Sequence, residues 1–184
     1  MIREDLEQLE ARLLKVFSEA KLERTLDHMV MWVEPDRLVE TMTRLRDDDA
    51  LNFKQMMDLT AVHYPKREAP LEIVYQLLSV YRNQRLRVKM AVPDGAMIPT
   101  VTGIWSCANW YERETYEMFG VLFKGHPDLR RLLTEYDSED YPLRKEFPLC
   151  GHYDVFYDEK QRRVVRKPVE LPRESREPYS RKRA

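Results

Sequence analysis

Five side chains between positions 112 and 128 have the types that bind a divalent ion and activate water: Glu112, Glu114, Glu117, His126 and Asp128. Their spacing opposes that chemistry. On a regular helix Glu112 points about 160° away from Glu114, so the two cannot converge on one ion. His126 precedes Pro127, a position suited to capping or packing, and His28, His63 and His152 stand alone without an HxxxH or HExxH pair. Cys107 and Cys150 form no CxxC, which argues against a disulfide framework, a zinc site or an iron–sulfur site and leaves buried, reduced thiols as the expectation. The 5 glycines of the 184 residues provide no GxGxxG and no GK[ST] phosphate loop, and no G-x-S-x-G turn presents a nucleophile. No catalytic, cofactor-binding or metal-binding residue is therefore assigned.

The same region reads better as an assembly surface. At about 100° per residue, Trp110, Tyr111, Thr115, Met118 and Phe119 gather on one side of a helix, with Glu114 between Trp110 and Met118. A carboxylate inside an apolar stripe requires a cation or several donors, since removing the partner of a buried charge costs roughly 3–5 kcal/mol. Within the chain, Arg113, Arg130, Arg131 and Arg144 are the available cations, and a bidentate arginine contact to Glu112 or Glu114 is the expected form. Between chains, Glu112, Arg113 and Glu114 would hold the helix against another protein, because interfacial charges fix register and partner choice.

Four strings then become recognisable: WYERETYEMFGV from Trp110, HPDLRRLLT from His126, PLRKEFPL from Pro142 and RRVVRKPVEL from Arg162. They closely resemble the C-type subunit family of proton-pumping NADH:quinone oxidoreductase, respiratory complex I. The resemblance runs from about Asp58 to Leu171 and rests only on element order in the first fifty residues. It implies a cofactor-free core subunit of the hydrophilic arm, with FMN, iron–sulfur clusters and quinone on other subunits, docked against the subunit that shapes the quinone pocket. Related subunits serve membrane-bound nickel–iron hydrogenases. The assembly residues expected on this basis are Trp110, Glu112, Arg113, Glu114, Phe119, Gly120, His126, Asp128, Arg130, Arg131, Arg144, Lys145 and Phe147, with Arg130-Arg131 and Arg144-Lys145 docking a partner or clamping the loop around Phe147. The chain departs from the family pattern at Glu117 and Glu146, where aspartate is usual, at Ser138–Tyr141, and in its SREPYSRKRA ending.

Positioning elements follow from periodicity. Leu6, Leu9, Leu13, Val16 and Phe17 define an amphipathic helix from Glu4 to Ala20; His28–Val33 reads as a strand; and Pro35 opens a helix carrying Leu38, Val39, Met42 and Leu45. Strands are expected at Phe53–Ala61, Leu71–Leu78 and Arg85–Val92, the last two joined near Asn83-Gln84. Pro99 is expected to open a short helix to Trp105, Ala108–Phe119 to form a helix stopped by Gly120, and Pro127-Asp128 to start another with Leu129, Leu132 and Leu133 inward and Arg130 and Arg131 outward. The fold class is α+β, a two-layer sandwich with a mixed or antiparallel sheet and helices on one face, followed by a long extended C-terminal arm. Residues 1–136 form the globular domain and 137–184 a proline-rich arm that wraps on partner subunits.

Composition fits this division: 43% hydrophobic residues support a core, while 34% charged residues and 11 prolines imply much wetted or partner-covered surface. Glu159–Ala184 carries ten Lys or Arg against four Asp or Glu, a net +6, leaving the remainder at −7. No apolar run reaches the roughly 20 residues of a bilayer span, and the acidic opening resembles neither a secretory signal nor a transit peptide. The expected setting is a hetero-oligomer without nucleic acid or a membrane span of its own, on the matrix side of the inner mitochondrial membrane or, alternatively, the cytoplasmic face of a bacterial membrane. The competing readings are the equivalent hydrogenase subunit and an RNA-associated adaptor using Arg181-Lys182-Arg183.

Overall fold

A computed structural model describes residues 2–136, 138–148, 151 and 153–169, with side chains described from Leu6 onward. The chain divides into two compact units, Met1–Lys145 and Glu146–Ala184. In the first, the elements are α1 (Ile2–Val16), β1 (Lys21–Arg24), β2 (Met29–Trp32), α2 (Leu38–Asp47), β3 (Gln55–His63), β4 (Leu71–Ser79), β5 (Gln84–Val92), β6 (Met97–Pro99), α3 (Ala108–Phe119) and β7 (Leu122–Lys124). Five strands form a mixed sheet in the order β1-β2-β5-β4-β3, antiparallel except where β2 lies parallel to β5.

Alternation explains the layering. Leu86, Val88, Met90 and Val92 of β5 are buried in register with Leu77, Tyr75, Ile73 and Leu71 of β4, and this face joins one core with Leu6, Leu9 and Leu13 of α1, Leu38, Met42 and Leu45 of α2 and Ala108 and Phe119 of α3. All three helices thus cover one sheet face, as the periodicity requires. On the other face Glu72 is paired with Lys89 at 2.8 Å and Arg67 at 3.0 Å.

The two sheet edges are protected differently. β1 is four residues long, mostly exposed and charged, a poor template for further pairing. β3 is long, and α3 with the turn before it supplies donors to carbonyls on and just before it: Trp105 Nε1 to Lys54 O at 3.1 Å, Cys107 Sγ to Met56 O at 3.7 Å, Tyr111 Oη to Met57 O at 3.1 Å and Thr115 Oγ1 to Leu59 O at 3.3 Å. A register irregularity between Met56 and Asp58 lets carbonyls of both phases face the helix.

Three expectations are corrected. Pro99 ends a strand, β6, that pairs parallel to β7, instead of opening a helix. Residues 127–133 form no helix, since α3 side chains bond to the backbone there, and Arg131 is buried while Leu133 is 67% exposed. Cys107 is exposed, not buried, because it stands at the outer start of α3 with its thiol turned to the β3 edge. Cys150, His152 and the basic end from Glu170 lie outside the described residues.

In the second unit, Tyr153–Asp158 (β8) and Arg163–Pro168 (β9) pair as an antiparallel hairpin with Arg162 at φ 52 in the turn. Tyr153, Val155, Phe156, Tyr157 and Val164 of this hairpin are all exposed.

Candidate functional site

α3 organises the region that the sequence singles out. Its buried face carries Ala108, Glu112, Thr115 and Phe119, while Trp110 and Glu114 lie on the exposed side. Glu114 is therefore not the carboxylate within the apolar layer; Glu112 is. The stripe is rotated because Trp110, 66% exposed, belongs to a surface groove and the small Ala108 takes the core position. The run Ala108, Glu112, Thr115, Phe119, spaced by 4, 3 and 4, is a regular helical face and was the available signal.

Glu112 Oε1 accepts the Val101 N–H at 2.7 Å, and Oε2 lies 2.5 Å from Thr100 Oγ1. Burial pushes this carboxyl up to about 7 against the pull of those two bonds. Among the described residues no arginine bonds to Glu112 or Glu114, so the expected bidentate pairing is also corrected. That geometry belongs to Arg144, whose Nη1 and Nη2 bond Asp94 at 3.0 and 2.6 Å while Nε bonds Phe119 O at 2.7 Å. Tyr141 lies against the same guanidinium, 4.7 Å from ring centre to Cζ.

Glu117, which stands out in the sequence only as a departure from aspartate, has the densest set of bonds. Its carboxylate accepts the N–H groups of Leu132, Leu133 and Thr134, with Oε2 2.8 Å from Leu132 N and 2.9 Å from Leu133 N. Burial alone would raise it, but the bonds from Thr134, Leu133 and Leu132 outweigh burial and hold it below the usual glutamate value. One turn away, Arg113 donates from Nε to Arg130 O at 3.0 Å and from Nη2 to Arg131 O at 3.4 Å. An acid and a base on one helix face thus take the donors and acceptors of the same loop.

The other expected residues fall around this arrangement. Arg131 donates to Thr134 Oγ1 at 3.0 Å and to Asp140 O at 3.3 Å, and Arg130 forms an exposed pair with Asp128 at 2.7 Å. His126 Nδ1 accepts the Asp128 N–H at 3.0 Å, which leaves Nε2 to donate to Asn109 O at 3.1 Å. Gly120 ends α3 at φ 78, with its N–H on Tyr116 O. Lys145 is exposed but gives its backbone N–H to His63 Nδ1 at 3.1 Å, and Phe147 belongs to the second unit. Among the described residues, no group of three or more His, Cys, Asp or Glu is arranged to hold an ion, and no helix is long and apolar enough to cross a membrane.

What remains open is a groove of about 490 Å³ lined by Cys107, Trp110, Tyr111, Glu114, Leu132 and Leu133. Its base is α3 and its rim is the loop held by Glu117 and Arg113. Among the described residues Glu114 is the one carboxylate lining it, and nothing pairs with it.

The first unit thus joins one core to a largely apolar groove along α3. The chain belongs to the family described as respiratory-chain NADH dehydrogenase, 30 Kd subunit, whose model matches residues 31–153. It is 45% identical over 174 residues to the C-type subunit of the NADH-quinone oxidoreductase of Methylobacterium sp. strain 4-46, covering 94% of this chain and 81% of that one. It is 46% identical over 145 residues to the NADH dehydrogenase [ubiquinone] iron-sulfur protein 3, mitochondrial, of Candida albicans, covering 79% of this chain and 52% of that one. Among solved structures, a trypsin-resistant fragment (1-134) of Nqo5 matches with TM-score 0.59 and 30% identity, covering 66% of this chain and 99% of the fragment. A chain of the membrane-bound sulfane sulfur reductase, an archaeal respiratory membrane complex, matches with TM-score 0.68 and 30% identity, covering 78% of this chain and 85% of that one.

Proposed function

We propose that this chain is a non-redox core subunit of the hydrophilic arm of respiratory complex I, which supports electron transfer from NADH to ubiquinone by docking on the subunit that shapes the quinone pocket. The observation that carries the reading is the groove, where Trp110 and Leu133 expose 66% and 67% of their surface around Glu114, which has no partner among the described residues. An exposed tryptophan beside an exposed leucine has the composition of an interface centre, and a neighbouring carboxylate fixes register and partner choice. The 1–136 globular part provides this surface and the 137–184 arm extends the contact, consistent with the exposed aromatic and aliphatic residues of the β8–β9 hairpin, a unit that two strands alone stabilise only marginally in water. FMN, clusters and quinone belong to neighbouring subunits; iron or flavin at one per chain in the purified protein would overturn that assignment.

The setting is peripheral, on the matrix face of the inner mitochondrial membrane or the equivalent cytoplasmic face in bacteria. The match to the sulfane sulfur reductase chain favours one second reading, the equivalent subunit of a related membrane complex such as a hydrogenase. The RNA-adaptor reading rests on residues outside the described structure.

The test is co-migration of the full chain with the quinone-pocket subunit on native gels. Trp110→Ala with Leu133→Ser should weaken association by roughly 30-fold or more, as expected for loss of an interfacial hot spot of about 2 kcal/mol, while leaving the circular dichroism and melting of the isolated chain unchanged. Glu114→Ala should likewise leave the fold intact, because Glu114 is exposed. Undiminished association of the double variant would refute the groove as the docking surface.

A further inference from the structure

Two glutamates on α3 are buried in opposite chemical settings. Glu117 receives three backbone N–H groups and is satisfied as an anion. Glu112, with no exposed surface, receives one N–H and faces one hydroxyl. Among the described residues, an ionised carboxylate so enclosed has neither a bonded cation nor enough donors to replace water.

Each neighbouring element confirms the deficit. From the segment after β7, His126 lies 4.0 Å from Glu112 Oε2, beyond hydrogen-bond distance, with its Nδ1 on the Asp128 N–H and its Nε2 3.1 Å from Asn109 O. Lys124 of β7 is exposed, and Asp128 is paired with Arg130. From β4, the fully buried Tyr75 hydroxyl has no hydrogen-bonding partner among the described residues, and negative charge on Glu112 would further oppose its ionisation. From β3, Asp58 is exposed and bonded to the Leu59 N–H, and His63 Nδ1 takes the Lys145 N–H. On α3 itself, Arg113 and Glu117 are committed to the loop at 130–134. From the segment after β6 come only neutral groups: Thr100, the Val101 N–H, and Thr102, whose Oγ1 lies 2.9 Å from Thr100 Oγ1.

We propose that Glu112 is a buried proton-binding site whose neutral acid latches the Thr100–Thr102 segment to α3, and that loss of the proton loosens the latch. In the neutral form a directed chain satisfies the carboxyl group and the Thr100 hydroxyl. The carboxyl O–H donates to Thr100 Oγ1, the Thr100 hydroxyl donates to Thr102 Oγ1, and Glu112 Oε1 still accepts the Val101 N–H. Deprotonation, with the proton passing to bulk water when the segment opens, reverses the chain and leaves a charge in the core. Because the folded carboxyl binds its proton more tightly than the unfolded chain does, the native state is favoured at low pH. That advantage diminishes as pH rises above the ordinary value of 4.5, and the loss is complete above about 7.

The experiment is carbon NMR of the full chain labelled at glutamate carboxyl carbons, with Glu112 assigned through its own side-chain correlations. The Glu112 carbon should show the neutral-acid shift at about pH 6 and titrate with a midpoint about 7, while exchange of the Val101 and Thr102 amides accelerates above that midpoint beyond the trend of the β4 and β5 amides. Glu112→Gln, which keeps a donor and an acceptor without a titrating proton, should abolish the extra acceleration. A carboxylate shift throughout the range would overturn the proposal, and so would a titration that leaves the Val101 amide unchanged. If the Gln variant does not fold, these two wild-type measurements decide alone.

Discussion

Glu117→Ala is expected to lower stability by about 2–4 kcal/mol and to free the loop that forms the groove's rim. The magnitude follows from three N–H groups losing their acceptor at once. Each unsatisfied donor costs about 1–3 kcal/mol when buried, and the sum is reduced here because Leu133 is exposed and its N–H can reach water. Glu117→Gln should recover little, since its NH2 group would face backbone donors, whereas Glu117→Asp keeps the charge and both oxygens and should recover most of the loss. The pH dependence has the opposite sign from that of Glu112. With the folded value held below the ordinary 4.5, the contribution is fully present above 4.5 and is lost as pH falls through the lower folded value. Denaturant unfolding of the variants at neutral and acidic pH checks both. A wild-type and Ala variant that differ equally at pH 7 and well below pH 4 would refute the carboxylate account.

This loop also shows where the sequence stops being informative. α3, its Gly120 stop and the alternating β4 and β5 are legible because the determining contacts recur every two, three or four residues. Pro127 and Asp128 followed by leucines at 129, 132 and 133 are a genuine helix-start pattern, yet Arg113 and Glu117 take the carbonyls and N–H groups that a helix would pair internally. Nothing local in the sequence signals that competition. The partner of Arg144 is likewise Asp94, 50 positions away. β1 is only KLER, too short and charged to stand out by hydropathy. Glu114 lies outside the core for a different reason: tryptophan's hydrophobicity places Trp110 on the expected buried face, whereas its ring lines the exposed groove.

Gly120→Ala should destabilise the first unit by about 3–4 kcal/mol, from two separable causes. At φ 78 an L-residue costs roughly 1–2 kcal/mol in backbone energy. A Cβ at this position would also stand 2.8 Å from Tyr141 Cζ and 2.9 Å from Arg144 Nη2. Arg144 cannot withdraw freely, because the same guanidinium bonds Phe119 O and Asp94. Displacing it would break a charge-assisted bidentate contact and uncover the end of α3. Gly95 provides the control: it has a similar φ of 73, but nothing lies within 4 Å of its added Cβ. Gly95→Ala should therefore show the backbone cost alone, and the difference between the two melting shifts isolates the Tyr141–Arg144 clasp. For a chain of this size, 3–4 kcal/mol corresponds to a fall of about 10 °C. Equal shifts at the two glycines would mean that the clasp yields without cost. Because the clasp secures the segment following the groove's rim, the proposed docking implies that Gly120→Ala also weakens co-migration with the quinone-pocket subunit, whereas Gly95→Ala does not.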